Sequence, residues 1–201
     1  MEKDYPVYEA VLNRRTIRRF KSVPISGDIL RKLVNAARVA PSAANIQPLE
    51  YVVVTDFTLR QDVFEALRWA AYIKPPWRPE EYERPVAYIV VLVNSRIKTD
   101  EFPRDVGASI ENMMLVALEE GIGSCWLRAV DRKIIRKSLN IPEHMEIDSV
   151  LALGYPRESP VMVEMTDSIR YWRESGVHYV PKRRLEDIIH FNGYTDSRMS
   201  A

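Results

Sequence analysis

Apolar residues recur along this chain with two periods, and the switches between them mark out its elements. Residues 5–13 carry Val7, Tyr8, Val11 and Leu12 at helical spacing, a pattern that ends at a basic turn. Ser26 stands where an N-cap belongs, ahead of a stripe of Ile29, Leu30, Leu33, Val34 and Ala37 that Pro41 stops. A loop from Pro41 to Pro48 follows. Pro48 biases Gln47 toward extended backbone, and Tyr51 to Val54 reads as a buried strand. Thr58-Leu59-Arg60-Gln61 has capping-box spacing and predicts a helix to about Ala71. From Tyr72 to Pro85, four prolines resist regular structure, while Trp77 and Tyr82 argue for an ordered excursion over a site.

Ala87 to Val93 is uniformly apolar, the pattern of a strand covered on both faces. From Asp105 to Glu120 the stripe Val106, Ile110, Met113, Met114, Ala117 and Leu118 predicts a long central helix, with Gly121 at its C-cap. Ser124 to Leu127 reads as a short strand, Asp131 caps a helix to about Leu139, and Ile147 to Leu153 is a further strand ending at Gly154. The tail from Tyr155 is polar and aromatic by turns. Irregular alternation of helices and strands predicts an α+β fold with a mixed sheet. No repeat or low-complexity tract divides the chain, so residues 1–201 read as a single domain.

Composition narrows the partners. A hydrophobic content of 46 % over 201 residues supports a real core, and a net charge of +1 gives no global attraction to nucleic acid or an anionic membrane. The longest apolar run is too short to span a bilayer, Met1-Glu2-Lys3-Asp4 leads into no secretory segment, and the single Cys125 suits a reducing compartment. The expectation is a cytoplasmic protein that binds neither membrane nor nucleic acid. His144, His178 and His190 show no metal-ligand spacing, so no metal site is assigned. Cys125 has no nameable base and reads as a small buried residue. Gly121-x-Gly123 follows a helix and lacks a third glycine, unlike a dinucleotide fingerprint.

Two stretches carry candidate chemistry. Arg14-Arg15-Thr16-Ile17-Arg18-Arg19-Phe20 gathers four guanidinium groups and a hydroxyl, equipment for a compact dianion, and it can equally be a solvated basic turn. Pro41-Ser42-Ala43-Ala44-Asn45-Ile46-Gln47-Pro48 is lined by small residues and offers two carboxamides that could read a ring edge alternating C=O and N–H, as on a flavin. The same amides can also simply satisfy backbone groups of the loop.

Taken in order, Arg14-Arg15-Thr16-x-Arg18-x-Phe20, Pro41-Ser42-x-x-Asn45-x-Gln47-Pro48, Asn112-Met113-Met114-Leu115, Gly121-x-Gly123-Ser124-Cys125-Trp126, Gly154-Tyr155-Pro156 and Pro181-Lys182-Arg183-Arg184-Leu185 resemble the FMN-dependent nitroreductase family over nearly the whole chain. The resemblance implies an interlocked homodimer with a mainly antiparallel sheet flanked by helices, residues 155–201 forming an arm on the partner subunit. It implies FMN at the interface, NADH or NADPH as donor and a nitroaromatic, quinone or similar planar acceptor, in a ping-pong cycle through flavin N5. By the same resemblance Arg14, Arg15, Thr16 and Arg18 grip the ribityl chain and phosphate, with Lys182 and Arg184 closing on that phosphate. Pro41, Ser42 and Ala43 line the dimethylbenzene side from the other subunit, Asn45 meets the ring edge, and Trp126, Leu127, Arg128 and Ala129 pass by N5.

No side chain is assigned as acid, base or nucleophile, because the flavin carries the chemistry. Tyr72, Trp77 and Tyr82 are candidates to sandwich a planar substrate, or else to cover the core. Thr16 stands where Ser is commoner in the family, Ala43 and Ala44 replace residues that often carry hydroxyls, Leu49 replaces a frequent Trp, and Arg128 occupies a position that is often acidic or small. The alternative function is a flavin-binding or flavin-handling protein without turnover.

Overall fold

The uniformly apolar strand foreseen at 87–93 is the middle of the molecule. In the computed structural model, which describes residues 6–97, 100 and 102–194, β3 (Ala87–Asn94) lies between β2 (Leu49–Val54) and β5 (Met145–Pro156), antiparallel to both. Its side chains alternate between two cores. Ala87, Ile89, Val91 and Val93 face α2 (Gly27–Arg38) and α4 (Phe102–Glu119), where Leu30, Leu33, Val106, Ile110 and Met113 are buried. Tyr88, Val90 and Leu92 face the opposite layer, built on Val63 and Phe64 of α3 (Phe57–Glu65) and Ile135 of α5 (Arg132–Ser138). Burying a side chain of this size contributes about 1.5–3 kcal/mol. The two helical layers clamp one sheet.

β4 (Gly123–Leu127) and β1 (Phe20–Lys21) also pair with β5, both antiparallel, and an isolated parallel bridge joins Thr16 to Ser124. The sheet is therefore mainly antiparallel and mixed only at that bridge. α4 ends in a Schellman turn, in which the N–H of Ile122 donates to Ala117 (2.7 Å) and that of Gly121 to Leu118 (3.0 Å), with Gly121 at φ +71°. That turn delivers the chain straight into β4. Asn112 on α4 donates to the Ala36 carbonyl (3.1 Å), tying the central helix to α2.

Ser26 and Asp131 cap α2 and α5 as expected, accepting from the N–H of Ile29 and of Ile134. α1 (Pro6–Asn13) ends where the basic turn begins, and its expected first residue, Tyr5, lies outside the described residues, as do Met1 to Asp4. Two expectations fail at α3. Asp56, not Thr58, caps it by accepting from Leu59 N–H (3.0 Å), and the helix stops at Glu65 instead of about Ala71. A competing pairing takes the next residues: Leu67 bridges Val130, Arg68 N–H donates to Ala129 (3.0 Å), and Asp131 N–H donates to Ala66 (2.8 Å). The tail adds a second sheet that periodicity did not reveal, β6 (Val161–Glu164), β7 (Trp172–Glu174) and β8 (Val177–Lys182), with β8 in the middle. Among the described residues, no helix is long and apolar enough to cross a membrane.

Candidate functional site

Arg14, Arg15, Thr16 and Arg18 come from the segment after α1, and Lys182 comes from the end of β8, more than 160 positions later. With Tyr171, His178 and Val180 they line one cleft of about 190 Å³. None of these lining residues is acidic. Two glycines let the basic segment lie flat on the sheet. A Cβ at Gly123 would come within 2.8–3.0 Å of Ile17 side-chain atoms, and one at Gly154 equally close to Phe20. Ile17 N–H donates to Ser124 (2.9 Å), which fixes the register.

Each arginine is held from behind. Arg14 Nε donates to Glu111 Oε1 (3.2 Å) on α4. Arg15 donates to the carbonyls of Leu12 (2.6 Å) and Arg14, closing the open end of α1. Burial, and then the neighbouring Arg14 charge, lower its pKa from the ordinary value. The backbone N–H groups of Arg18 and Arg19 both donate to Glu158 Oε1 (2.5 and 3.1 Å), while Arg173 donates to Glu158 Oε2 (2.8 Å). One carboxylate, with a side chain 5 % exposed, thus joins the basic segment to β7.

Arg18 Nη1 lies 3.2 Å from His178 Nε2, and its guanidinium sits 4.9 Å from the Tyr171 ring centroid. Burial, then the charges of Arg18 and Arg173, lower the His178 pKa to about 4. The ring is therefore neutral at pH 7. Arginine can only donate, so Nε2 accepts and the proton resides on Nδ1, which has no hydrogen-bond partner among the described residues. Tyr72 packs on Tyr171 at 5.1 Å, and Tyr171 on His178 at 5.1 Å, a row of rings running away from the cleft.

The loop at 41–48 lines a different cleft of about 430 Å³, which shares no lining residue with the first. Asp105, buried on α4, accepts from Ser42 Oγ (2.8 Å) and Ala43 N–H (3.2 Å), and Ser42 Oγ accepts from Gln47 N–H (3.0 Å). Ala44, Asn45 and Gln47 all have left-handed backbone, with φ between 51° and 56°. Asn45 is exposed, and its own carbonyl accepts from the Gln47 carboxamide (3.2 Å). At the end of β4, Trp126 and Arg128 are exposed, Leu127 is buried and the Ala129 carbonyl is held by Arg68.

The expected residues thus separate into groups. Arg14, Arg15, Thr16, Arg18 and Lys182 meet, whereas Arg184 is turned to Asp187, donating to it at 3.1 and 3.3 Å outside the cleft. Pro41 and Ser42 line the second cleft. Of the three aromatics, Tyr72 is exposed at the row of rings, Trp77 packs against the core under Arg173, and Tyr82 lines a third cleft. They do not form one sandwich in this chain. Sequence reasoning missed Glu158, Tyr171, His178 and Asp105. Each acts on residues at least 62 positions away, and no spacing signal announces such contacts. Among the described residues, no group of three or more His, Cys, Asp or Glu is placed to hold a metal. Burial pushes the Cys125 thiol up to about 11, away from the range of a reactive thiolate.

Residues 11–155 match the model of the nitroreductase family. A protein from Archaeoglobus fulgidus, named provisionally as an NADH dehydrogenase/NAD(P)H nitroreductase, is 32 % identical over 166 residues, covering 78 % of this chain and 89 % of the relative. A solved nitroreductase family protein from Clostridium novyi NT superimposes with a TM-score of 0.64 at 27 % identity, over 75 % of this chain and 86 % of the other. A nitroreductase with bound FMN from Bacteroides fragilis NCTC 9343 has the same fold, with a TM-score of 0.65, 23 % identity and coverage of 82 % and 96 %.

Proposed function

Because the chain belongs to the nitroreductase family, we propose that it is an FMN-dependent oxidoreductase, passing electrons from NADH or NADPH to a nitroaromatic, quinone or similar planar acceptor. The observation that carries this reading is the meeting of Arg14, Arg15, Thr16 and Arg18 with Lys182 in one cleft free of acidic lining residues. Cations gathered there, with Arg15 already depressed by burial and by Arg14, call for an anion of more than one charge. The donor set fits a flavin's phosphate and the adjoining ribityl hydroxyls, and a space of about 190 Å³ suits that end of the cofactor.

FMN, held there, would supply the redox chemistry of a ping-pong exchange between a nicotinamide and a second planar molecule. The protein's residues bind and orient. Neutral His178 and the Tyr171 ring hold the Arg18 guanidinium in place, and Glu158 fixes the backbone of Arg18. The loop of Pro41, Ser42, Ala43 and Asn45 comes from a second copy in this reading, which agrees with its lining a separate cleft within one chain. Trp126, Leu127, Arg128 and Ala129, at the exposed end of β4, are the stretch proposed to pass beside N5.

The deciding experiment is an anaerobic absorption spectrum of the purified protein as NADH and then NADPH is added. Oxidised-flavin bands that bleach, and return when a quinone is supplied, are the expected result, and the faster donor identifies the preferred nicotinamide. Bands that stay unbleached would replace the oxidoreductase by a flavin-binding protein. A colourless protein that also fails to take up added FMN would end the flavin reading altogether.

A further inference from the structure

The largest of the three clefts above has no part in that reading. It encloses about 560 Å³ and shares no lining residue with either of the others. Pro24, Ile25, Phe57, Phe64, Pro85 and Val86 give it apolar walls. Its charged lining consists of Arg60, Arg84 and Glu81.

The two arginines differ in one respect. Arg84 is engaged: it donates to Gln61 Oε1 (2.5 Å), stacks on the Phe64 ring at 4.0 Å and comes within 4.0 Å of Glu65. Arg60 is half-buried and has no carboxylate within ion-pair distance among the described residues. Its guanidinium makes only a long 3.5 Å contact to the Pro85 carbonyl, its Nε is buried without an acceptor, and it lies 5.6 Å from the Phe57 ring centroid. A desolvated cation without a counter-charge is costly, and an anion from outside relieves that cost.

The second observation is Tyr88. It lines the same cleft at 1 % exposure. Burial raises its pKa above that of an ordinary phenol, with the Arg60 and Arg84 charges acting against the shift. The hydroxyl therefore keeps its proton at neutral pH and can donate within the field of the Arg60 and Arg84 charges.

We propose that this cleft is a second ligand site, which binds a small monocarboxylate with a flat apolar body, its carboxylate on Arg60 and the Tyr88 hydroxyl and its body between Phe57, Phe64 and Ile25. One free guanidinium with one phenol matches the two oxygens of a carboxylate, and Glu81 disfavours a more highly charged anion. The volume lies within the range of small-molecule pockets, about 300–1,000 Å³.

The test is calorimetric titration of the purified protein with 2-naphthoate and, separately, with the neutral 2-naphthamide. The carboxylate is expected to bind at least ~10-fold more tightly than the amide, Arg60→Gln to remove that preference, and Tyr88→Phe to weaken naphthoate by ~3-fold or more. Lys182→Ala, which alters the cleft proposed for the flavin phosphate, is expected to leave naphthoate binding unchanged. Equal affinity for the two ligands would overturn the proposal, as would an affinity that survives Arg60→Gln but falls in Lys182→Ala. Failure to bind naphthoate up to its solubility limit would do the same, and none of these results bears on whether the protein is a flavin reductase.

Discussion

A histidine buried between two arginines folds most easily when it is neutral. His178 has a folded pKa of about 4, against about 6.5 in an unfolded chain. The unfolded state therefore binds the extra proton between these values, so the stability that His178 contributes is complete above pH 6.5 and is lost as pH falls toward 4. A shift of this size corresponds to at most about 3 kcal/mol, less where solvent screens the two arginine charges. Urea unfolding of the parent and of His178→Phe at pH 7 and pH 4.5 should show a smaller pH-dependent loss in the variant, and equal losses would refute a neutral buried His178. At the cleft proposed for the flavin phosphate, Arg14→Ala with Lys182→Ala should weaken FMN binding by roughly 3–6 kcal/mol, each charge-assisted contact being worth about 1.5–3. Quenching of FMN fluorescence during titration measures this, and unchanged affinity would remove both residues from the grip. Arg14, Arg15 and Arg18 were legible in the sequence because they cluster locally, whereas Lys182 was joined to them only through the family resemblance. His178 and Glu158 were not legible, since their roles exist only through contacts to residue 18 from 160 and 140 positions away.

At the scale of elements, two glycines decide how closely the basic segment approaches the sheet. Adding a methyl at Gly123 meets Ile17 Cβ at 2.9 Å as well as its outer carbons, so rotating the side chain cannot relieve the overlap and the backbone must move. Gly123→Ala should cost about 1–3 kcal/mol of stability and also weaken FMN binding, because Arg14 to Arg18 shift with Ile17. Gly27→Ala, with nothing within 4 Å of the added carbon, is the control and should change neither property appreciably. Thermal unfolding and flavin titration on both variants check the pair, and a neutral Gly123→Ala would mean that the segment is not held flat. Helices built on long periodic stripes, such as α2 and α4, could be read from the sequence because their own residues determine which face is buried, and β3 because its uniformly apolar run calls for cover on both faces. α3 could not be bounded in that way, since residues 66–68 leave the helix to pair with residues 129–131, a tertiary competitor that local spacing does not contain. β6, β7 and β8 were hidden for a related reason: β6 and β7 are short and mostly exposed, β8 buries only His178 fully, and all three pair within the tail, so no alternating buried face shows.

For the whole molecule, the question is what covers the apolar surface that one chain leaves open. α1 has the amphipathic spacing of a packed helix, yet none of its residues is buried, and Val7 and Tyr8 are 71 % and 61 % exposed. The tail presents Leu185, Ile188, Phe191 and Tyr194 in the same way, with Phe191 and Tyr194 at 78 % and 81 %. Patches of this kind are expensive to leave in water, and a second copy covering them through a two-fold interface is the economical solution. That arrangement would also bring together the two separate clefts of one chain that are proposed to form the flavin site. Sedimentation should therefore show a dimer at micromolar concentration. Val11→Asp combined with Phe191→Asp should shift it to monomer, with FMN affinity falling in step because the loop at 41–45 no longer reaches the cofactor. Should the variant become monomeric yet hold FMN as tightly as the parent, the loop at 41–45 would have no part in the flavin site. A variant that stays dimeric and keeps its flavin would show instead that α1 and the tail lie outside the interface.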